Sequence, residues 1–356
     1  MRTAFPHLGC RYERRSEFLT GAAEYIAEGL RRNQRIVYVG DRSRGALRAE
    51  LTGMPGVGDG LKSGAVEIRQ SEDHYVFQSG SDIIDAHSAV ASYEAAADDA
   101  IAQGYSGFRA VVDVTPVART PEQREALARL EYLVDQKIAL LPFSAMCAYD
   151  TSELGTAAAE LICLHPLVEP GSVAFQLHAD PHGASDCVLT GEIDACSTAL
   201  FATTLQRVWP LVASDPLQVD ARALEFIGPE QLRVLDESAR RRNRNVVLCS
   251  DQRIVTRLAE LIALTSVTVA PVGDCRPDEG ESAIEQVKGL LIETFGLQAQ
   301  EAFAVLARFA RITDTTVSER AERIRADLSV GASDDRRRAT LDALKTIHDE
   351  LRASWT

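Results

Sequence analysis

The sequence predicts an α/β protein that ends in a small all-helical module, and three observations carry that reading. Over residues 1–165, short apolar strand patterns alternate with helical ones. At 165–171 the segment HPLVEPG places two prolines and a glycine between periodic stretches. From Pro271 a polar PVGDCRPDEGE linker gives way to a chain with helical periodicity only. At 356 residues the chain exceeds what one core comfortably fills, so it divides into 1–165, 172–270 and 279–330, with a last amphipathic helix at 333–356.

In the first region the patterns read as helix 17–31, strand 35–39, helix 44–51, strand 65–69, helix 82–103, strand 109–113, helix 121–136 and strand 143–149. Thr120 and Pro121 supply a cap and a first-turn residue for the 121–136 helix. Strands separated by helices call for a mainly parallel sheet with right-handed crossovers. The second region repeats the alternation as strands 173–177 and 185–190, helix 197–209, strand 216–220, helix 229–241, strand 245–248, helix 251–263 and strand 267–270. The third reads as helices 282–295, 299–313 and 316–327, with Gly296 as a C-cap. In 334–355 Leu341, Leu344, Ile347 and Leu351 form one apolar stripe, suited to docking on the protein itself or on another helix.

Hydrophobic residues at 46% and charged residues at 25% are ordinary, and no apolar run approaches the roughly 20 residues of a membrane helix. MRTAFPHLGCRYERR lacks the apolar segment of a signal peptide, so a soluble, cytoplasmic protein without membrane contact is expected. A net charge of −14 means that nucleic-acid binding must come from a local patch. The seven cysteines form no CxxC pair and no disulfide framework, so most are expected to be reduced core thiols.

The glycine-dense GMPGVGDGLKSG, Gly53–Gly64, fails as a phosphate loop because Lys62 follows no glycine directly and the stretch sits between a helix and a strand; a surface loop is expected. HExxH, GxSxG and paired-cysteine zinc patterns are absent, and His165, His178 and His182 are not spaced as a ligand set, so neither an enzyme nor a metal protein is expected and no cofactor is named. His7, Cys10 and Tyr12 form a compact HxxCxY cluster just before the first helix, where a functional loop of an α/β sheet would sit. The cluster is either a ligand site or a half-buried cysteine beside a hydrogen-bonded histidine. Asp41 and Asp113 end predicted strands, where open sheets place ligands and where turns also favour Asp. Lys288, Arg308, Arg311, Arg320, Arg323 and Arg325 crowd the C-terminal helices, but Glu301, Glu319 and Glu322 interleave with them, so composition alone favours a solvated, charge-laced face over a nucleic-acid face.

Residues 282–324, SAIEQVKGLLIETFGLQAQEAFAVLARFARITDTTVSERAERI, closely resemble the ANTAR domain, through Ala283, Gln286, Lys288 and Gly289, the Gln300–Phe303 run, Leu306, and the Val317, Ala321 and Ile324 pattern. The resemblance implies binding of paired RNA hairpins through their loops, which prevents a transcription terminator from forming. It points to Lys288, Arg308, Arg311, Thr313, Thr316, Arg320 and Arg323 as the RNA face. Asp314 and Glu319 make ITDTTVSERAE more acidic than the usual family segment. The middle region resembles a STAS domain in VLTGEIDACSTALF, LQVDARALEFIGPEQLRVLDES and NVVLCSD. Gly228 and Pro229 stand where phosphorylated STAS members carry Ser or Thr, which implies a docking or relay role without a phosphoswitch.

The first region resembles the MEDS sensory domain, distantly similar to RecA-like folds, in HLGCRY, EYIAEGLRRNQRIVYVGD, GYSGFRAVVDVT and MCAYD. That resemblance implies sensing of a small hydrocarbon-related ligand, with His7, Cys10, Tyr12, Asp41, Arg109, Asp113, Cys147 and Tyr149 lining the crevice where the strands end. Cys10 and Cys147 are the first candidates for a reactive thiol. The expected whole is a homodimeric, signal-responsive antitermination regulator with tandem RNA hairpins, a small-molecule ligand and a protein partner at the STAS region as its contacts. The rival readings are a STAS-mediated partner switch in a sigma-factor cascade, with the C-terminal helices used for dimerisation, and a nucleotide-binding protein using the first sheet.

Overall fold

The segment HLGCRY is a strand, β1 (His7–Tyr12), inside the first sheet, and not the loop that its polar residues suggest. The computed structural model describes residues 7–138, 141–180, 185–275, 279–297, 299–313, 315, 317–329 and 332–355. β1 leads into α1 (Arg15–Arg31), whose Glu17 carboxylate accepts the Glu13 and Arg14 backbone N–H groups at 3.0 and 3.2 Å. There follow β2 (Arg35–Gly40), α2 (Arg44–Thr52), α3 (Gly58–Ser63), β3 (Val66–Gln70), the single turn α4 (Ser71–His74), α5 (Ala86–Ala102), β4 (Phe108–Asp113) and α6 (Pro121–Ile138). After β5 (Phe143–Asp150), the single turns α7 (Thr151–Leu154) and α8 (Ala159–Ile162) lead to β6 (Leu167–Val168).

The strands are all parallel, in the order β3-β2-β4-β5-β1-β6. Because β6 pairs with β1, the first sheet extends past residue 165 to Val168. The glycine-dense stretch is not all loop: α3 lies in it, and Gly60 packs so closely that a Cβ there would sit 2.8 Å from Val66. α6 begins with a reciprocal cap, Thr120 Oγ1 accepting from the Gln123 N–H at 3.2 Å and Gln123 Oε1 accepting from the Thr120 N–H at 3.1 Å. α1, α2 and α3 cover one face of the sheet, with Phe18, Ile26, Tyr38, Leu47 and Met146 in the core. α5 and α6 cover the other.

The second unit is a mixed sheet. β7 (Phe175–Ala179) runs antiparallel to β8 (Cys187–Ile193), and α9 (Thr198–Val208), β9 (Leu217–Asp220), β10 (Leu224–Ile227), α10 (Pro229–Arg241), β11 (Val246–Cys249), α11 (Arg253–Ile262) and β12 (Val267–Ala270) complete it in the order β10-β8-β9-β11-β12. β10 escapes a period-two reading because Glu225 and Phe226 are both exposed between buried Leu224 and Ile227. Leu127 and Leu130 of α6 share one continuous core with Phe201 and Leu205 of α9, and the Tyr132 hydroxyl donates to the Asp186 carbonyl at 3.1 Å, so the two units are welded across α6. Cys249 and Cys275, 26 residues apart, are joined as a disulfide, which no sequence spacing foretold. Cys10, Cys147, Cys163 and Cys187 are buried free thiols, and Cys196 is exposed.

The C-terminal module is helical throughout: α12 (Glu279–Phe295), α13 (Ala299–Ile312), α14 (Val317–Leu328) and α15 (Asp334–Trp355). Gly296 ends α12 at φ +70° as expected of a C-cap, its N–H donating to the Ile292 carbonyl at 2.9 Å. Leu344, Ile347 and Leu351 of α15 join Ala283, Leu291, Leu306 and Ile324 in one core, so the last helix is a fourth member of this module. Ile101 of α5 packs against the same core. Among the described residues no helix is long and apolar enough to cross a membrane.

Candidate functional site

Side chains alternate across a strand, so His7 and Cys10, three residues apart, face opposite sides of the first sheet. His7 points to the α6 side. Its strand pairs in register with β5, Gly9 beside Cys147 and Arg11 beside Tyr149, which puts Cys147 and Tyr149 on the His7 side as well. α6 lays Glu131 and Asp135, one helical turn apart, over these residues. His165, in the turn after α8, closes the group by packing against β1 at Gly9. A Cβ at Gly9 would lie 2.7 Å from the His165 Cγ, so only glycine leaves room for the ring. His7, Glu131, Asp135, Cys147, Tyr149 and His165 are all buried.

The geometry is convergent. His7 Nδ1 donates to Asp135 Oδ1 at 2.6 Å, which turns Nε2 towards Glu131 Oε2 at 3.1 Å and Cys147 Sγ at 3.7 Å. Cys147 Sγ lies 3.8 Å from Glu131 Oε2, and Tyr149 Oη donates to Glu131 Oε1 at 3.0 Å. His165 Nδ1 faces the Leu161 carbonyl at 3.1 Å and must carry its proton there, since a carbonyl only accepts. The other nitrogen, Nε2, is buried without a hydrogen-bond partner, 3.7 Å from Glu131 Oε2. Burial opposes charge on His7, but the Asp135 carboxylate outweighs it and holds the imidazole well above its usual range. Burial together with His7 presses His165 down to about 4, so its ring is neutral. Glu131 stays below the ordinary carboxylate value, because His165, His7 and Tyr149 overcome its burial. A cavity of about 20 Å³, room for one water, adjoins the group and is walled by Tyr75, Tyr93 and Phe143. His7, Glu131, Cys147 and His165 bring two imidazoles, a carboxylate and a thiol within 4.8 Å of one another, a donor set able to hold a transition-metal ion.

The remaining residues of the expected crevice lie elsewhere. Tyr12 Oη and Arg15 Nη1 both donate to Asp113 Oδ2, at 2.9 and 2.7 Å, and Arg15 Nη2 and the Tyr38 hydroxyl both donate to Glu50 Oε2, at 2.9 and 2.7 Å. This closed network occupies the carboxyl ends of the strands. Arg109 is buried on the α1 side, its Nε donating to Gln34 Oε1 at 2.6 Å and its guanidinium over the Tyr25 ring. Asp41 is exposed and pairs with Arg119 at 3.3 Å. The eight residues therefore do not line one pocket, and strand alternation is the reason. Neither suspected thiol has the exposure or lowered pKa of a reactive one: burial pushes Cys10 far up, and burial with the Glu131 carboxylate pushes Cys147 up to about 12.

On the C-terminal helices the expected cations also part company. Arg308 and Arg311, on one face of α13, both pair with Asp98 of α5, Arg308 at 3.7 Å. Arg320 is 8% exposed and lies over the Phe309 ring, so it is packing within the module and not open surface. The Thr313 hydroxyl donates to the Phe309 carbonyl at 2.8 Å at the end of α13. Lys288 is half-buried, Arg323 is exposed, and Thr316 lies outside the described residues. Sequence reasoning missed Glu131, Asp135, His165 and Asp98. The first two were detectable as acids one turn apart in LEYLVD, whose other residues are apolar or aromatic, whereas His165 and Asp98 carried no local signal.

The MEDS family model, the MEthanogen/methylotroph, DcmR Sensory domain, matches residues 6–166, and the ANTAR domain model matches residues 279–324. The ANTAR domain supports an RNA-binding antitermination regulator in general terms. The mixed α/β unit between them carries no match, so its STAS resemblance stands on sequence motifs alone. No curated protein matches the chain.

Proposed function

We propose that this chain, which carries a MEDS sensory domain and an ANTAR domain, is a non-catalytic cytoplasmic regulator that binds paired RNA hairpins and promotes antitermination under the control of its first domain. The observation that carries the reading is the ANTAR match over 279–324, on helices that fold around their own core. The signal-responsive part is supported by a contiguous packing route. α6, which bears Glu131 and Asp135, packs on α5, and α5 presents Asp98 to Arg308 and Arg311. In this arrangement an acid of the sensory domain holds two cations expected to meet RNA. A signal that binds one arrangement of α5 and α6 better than another would change how available those cations are.

The test is binding of the purified chain to a labelled RNA with two tandem hairpins, against a loop-scrambled control, across a salt series. Loop-dependent binding that is lost in a Lys288, Arg308 and Arg311 triple alanine variant, with a shallower salt dependence, is expected. Equal or absent binding to both RNAs sinks the reading. Capture of a protein partner through the middle unit, where Phe226, Ile254 and Leu261 stand 49%, 62% and 79% exposed, would then favour the partner switch.

A further inference from the structure

We infer that His7, Glu131, Cys147 and His165 form a four-coordinate site for a zinc-type divalent ion in the middle of the sensory domain. The inference is independent of the RNA reading. Its first support is geometric. A tetrahedral zinc ion with ligands at about 2.0–2.1 Å for nitrogen or oxygen and about 2.3 Å for sulfur holds its donor atoms about 3.3–3.7 Å apart. His7 Nε2 and Glu131 Oε2 are 3.1 Å apart, Cys147 Sγ is 3.7 Å from that nitrogen and 3.8 Å from that oxygen, and His165 Nε2 is 3.7 Å from the same oxygen. All four donor atoms lie within 4.8 Å of one another, so small shifts complete the polyhedron.

The second support is the shell behind the ligands. A metal-bound histidine characteristically donates its other N–H to a carboxylate or a carbonyl, which fixes the tautomer and aims the lone pair. Both rings do this here: His7 Nδ1 on Asp135 at 2.6 Å, and His165 Nδ1 on the Leu161 carbonyl at 3.1 Å. Tyr149 holds the second oxygen of Glu131 at 3.0 Å. The third support is an unmet need. The fully buried His165 Nε2 has no hydrogen-bond partner and points into the cluster, and such an orphaned acceptor is costly unless something fills its lone pair.

Charge agrees with this assignment. A divalent ion held by one carboxylate, one thiolate and two neutral imidazoles is neutral together with its ligands, and the Asp135 carboxylate behind them is met by the His7 Nδ1–H. The mixed nitrogen, sulfur and oxygen donor set suits zinc and not magnesium or calcium, which take oxygen ligands. The ion would join β1, α6, β5 and the turn before β6, which span residues 7 to 165, so binding would stabilise the whole first sheet.

The experiment uses the full chain, loaded with zinc or with cobalt as a spectroscopic substitute and dialysed against a weak chelator. One ion per chain is expected, with a thiolate-to-cobalt charge-transfer band and the intense visible bands of four-coordinate cobalt. X-ray absorption on the zinc form is expected to show one sulfur at about 2.3 Å among nitrogen and oxygen neighbours at about 2.0–2.1 Å. Cys147→Ser should abolish the charge-transfer band, whereas Asp135→Asn should keep it and weaken affinity about 10- to 100-fold. No stoichiometric ion, a zinc shell without sulfur, or a band unmoved by Cys147→Ser overturns the proposal. The absorption measurement needs only the wild-type chain, so it decides even if the variants fail to fold.

Discussion

Two polar groups lie on opposite faces of the first sheet, and they differ in how completely they are satisfied. At the carboxyl ends of the strands, Arg15 stands between Glu50 and Asp113, and two tyrosine hydroxyls donate to the same carboxylates. Every charge there has an opposite neighbour. Beneath the α6 face, His7, Glu131, Cys147 and His165 converge with a lone pair left over. The carboxyl ends of an open sheet are where ligands usually sit, yet here they are closed by the protein's own ions, and the unmet valence lies in the interior. Position in a fold marks where a ligand could bind, but the bookkeeping of donors and acceptors identifies where one is needed.

The contrast can be broken most forcefully at Arg15. Removing one member of a part-buried ion network leaves the others uncompensated, so Arg15→Met is expected to cost about 3 kcal/mol in urea unfolding. His165→Gln in metal-free protein should cost about 1 kcal/mol, because the lost Nε2 makes no bond. Equal losses would mean that the two groups are satisfied alike. Gly9→Ala tests the open group from its floor. The new methyl would meet the His165 ring at 2.7 Å, so overpacking of about 2 kcal/mol is expected, together with weaker metal retention. An unchanged unfolding midpoint would show that the ring is free to move.

A third buried imidazole sharpens the same comparison. His74 has tyrosine neighbours, with Tyr93 Oη at 3.3 Å, and burial with the Arg69 charge lowers it to about 3, the Glu67 carboxylate opposing. Its folded value lies below its unfolded one of about 6.5. Between these values the unfolded chain binds the extra proton, so this contribution to stability is present above pH 6.5 and falls as the pH drops towards 3, by at most about 1.4 kcal/mol for each pH unit. His74→Gln should flatten the dependence of the urea midpoint between pH 7 and 5. A slope that the variant leaves untouched would assign the acid sensitivity to other groups.

Much of the fold was legible because it rests on periodicity. The helix starting at Pro121, the helix starting at Pro229 and the strand Val267–Ala270 stand where the pattern put them. β1 was not legible, because His7, Cys10 and Arg11 interrupt its apolar pattern, and of these only His7 belongs to the cluster beneath α6. Misreading it as a loop hid the rule that separates His7 from Cys10, and so joined residues of two faces into one crevice. Cys147 and Tyr149 could be assigned to the His7 side only once the β1–β5 register was known. His165 lay in a proline-flanked break that looked like a boundary, and Cys147, Glu131 and His7 stand 18, 34 and 158 residues from it, a long-range fact that no local pattern carries.

The smallest expected effect lies at the seam between the sensory domain and the helical module, where charges are paired as at Arg15 but half in solvent. Asp98 is 42% exposed, and its partners Arg308 and Arg311 are 34% and 25% exposed. Solvent and salt screen such a contact, so it is worth about 0.5–1 kcal/mol. If Asp98 competes with RNA phosphates for these arginines, Asp98→Asn should tighten hairpin binding about two- to fivefold at low salt by the same energy. The gain should shrink as salt rises, because screening weakens the contact in the wild type as well. It should also vanish in an Arg308→Ala, Arg311→Ala background, which removes both cations whatever Asp98 does. Tightening that survives in that background would assign the effect to overall charge, since removing any acid from a chain of net charge −14 favours a polyanion. No tightening at all would mean that the arginines meet RNA without leaving Asp98, and the sensory domain would then have to act through the orientation of the helices instead of through these two side chains.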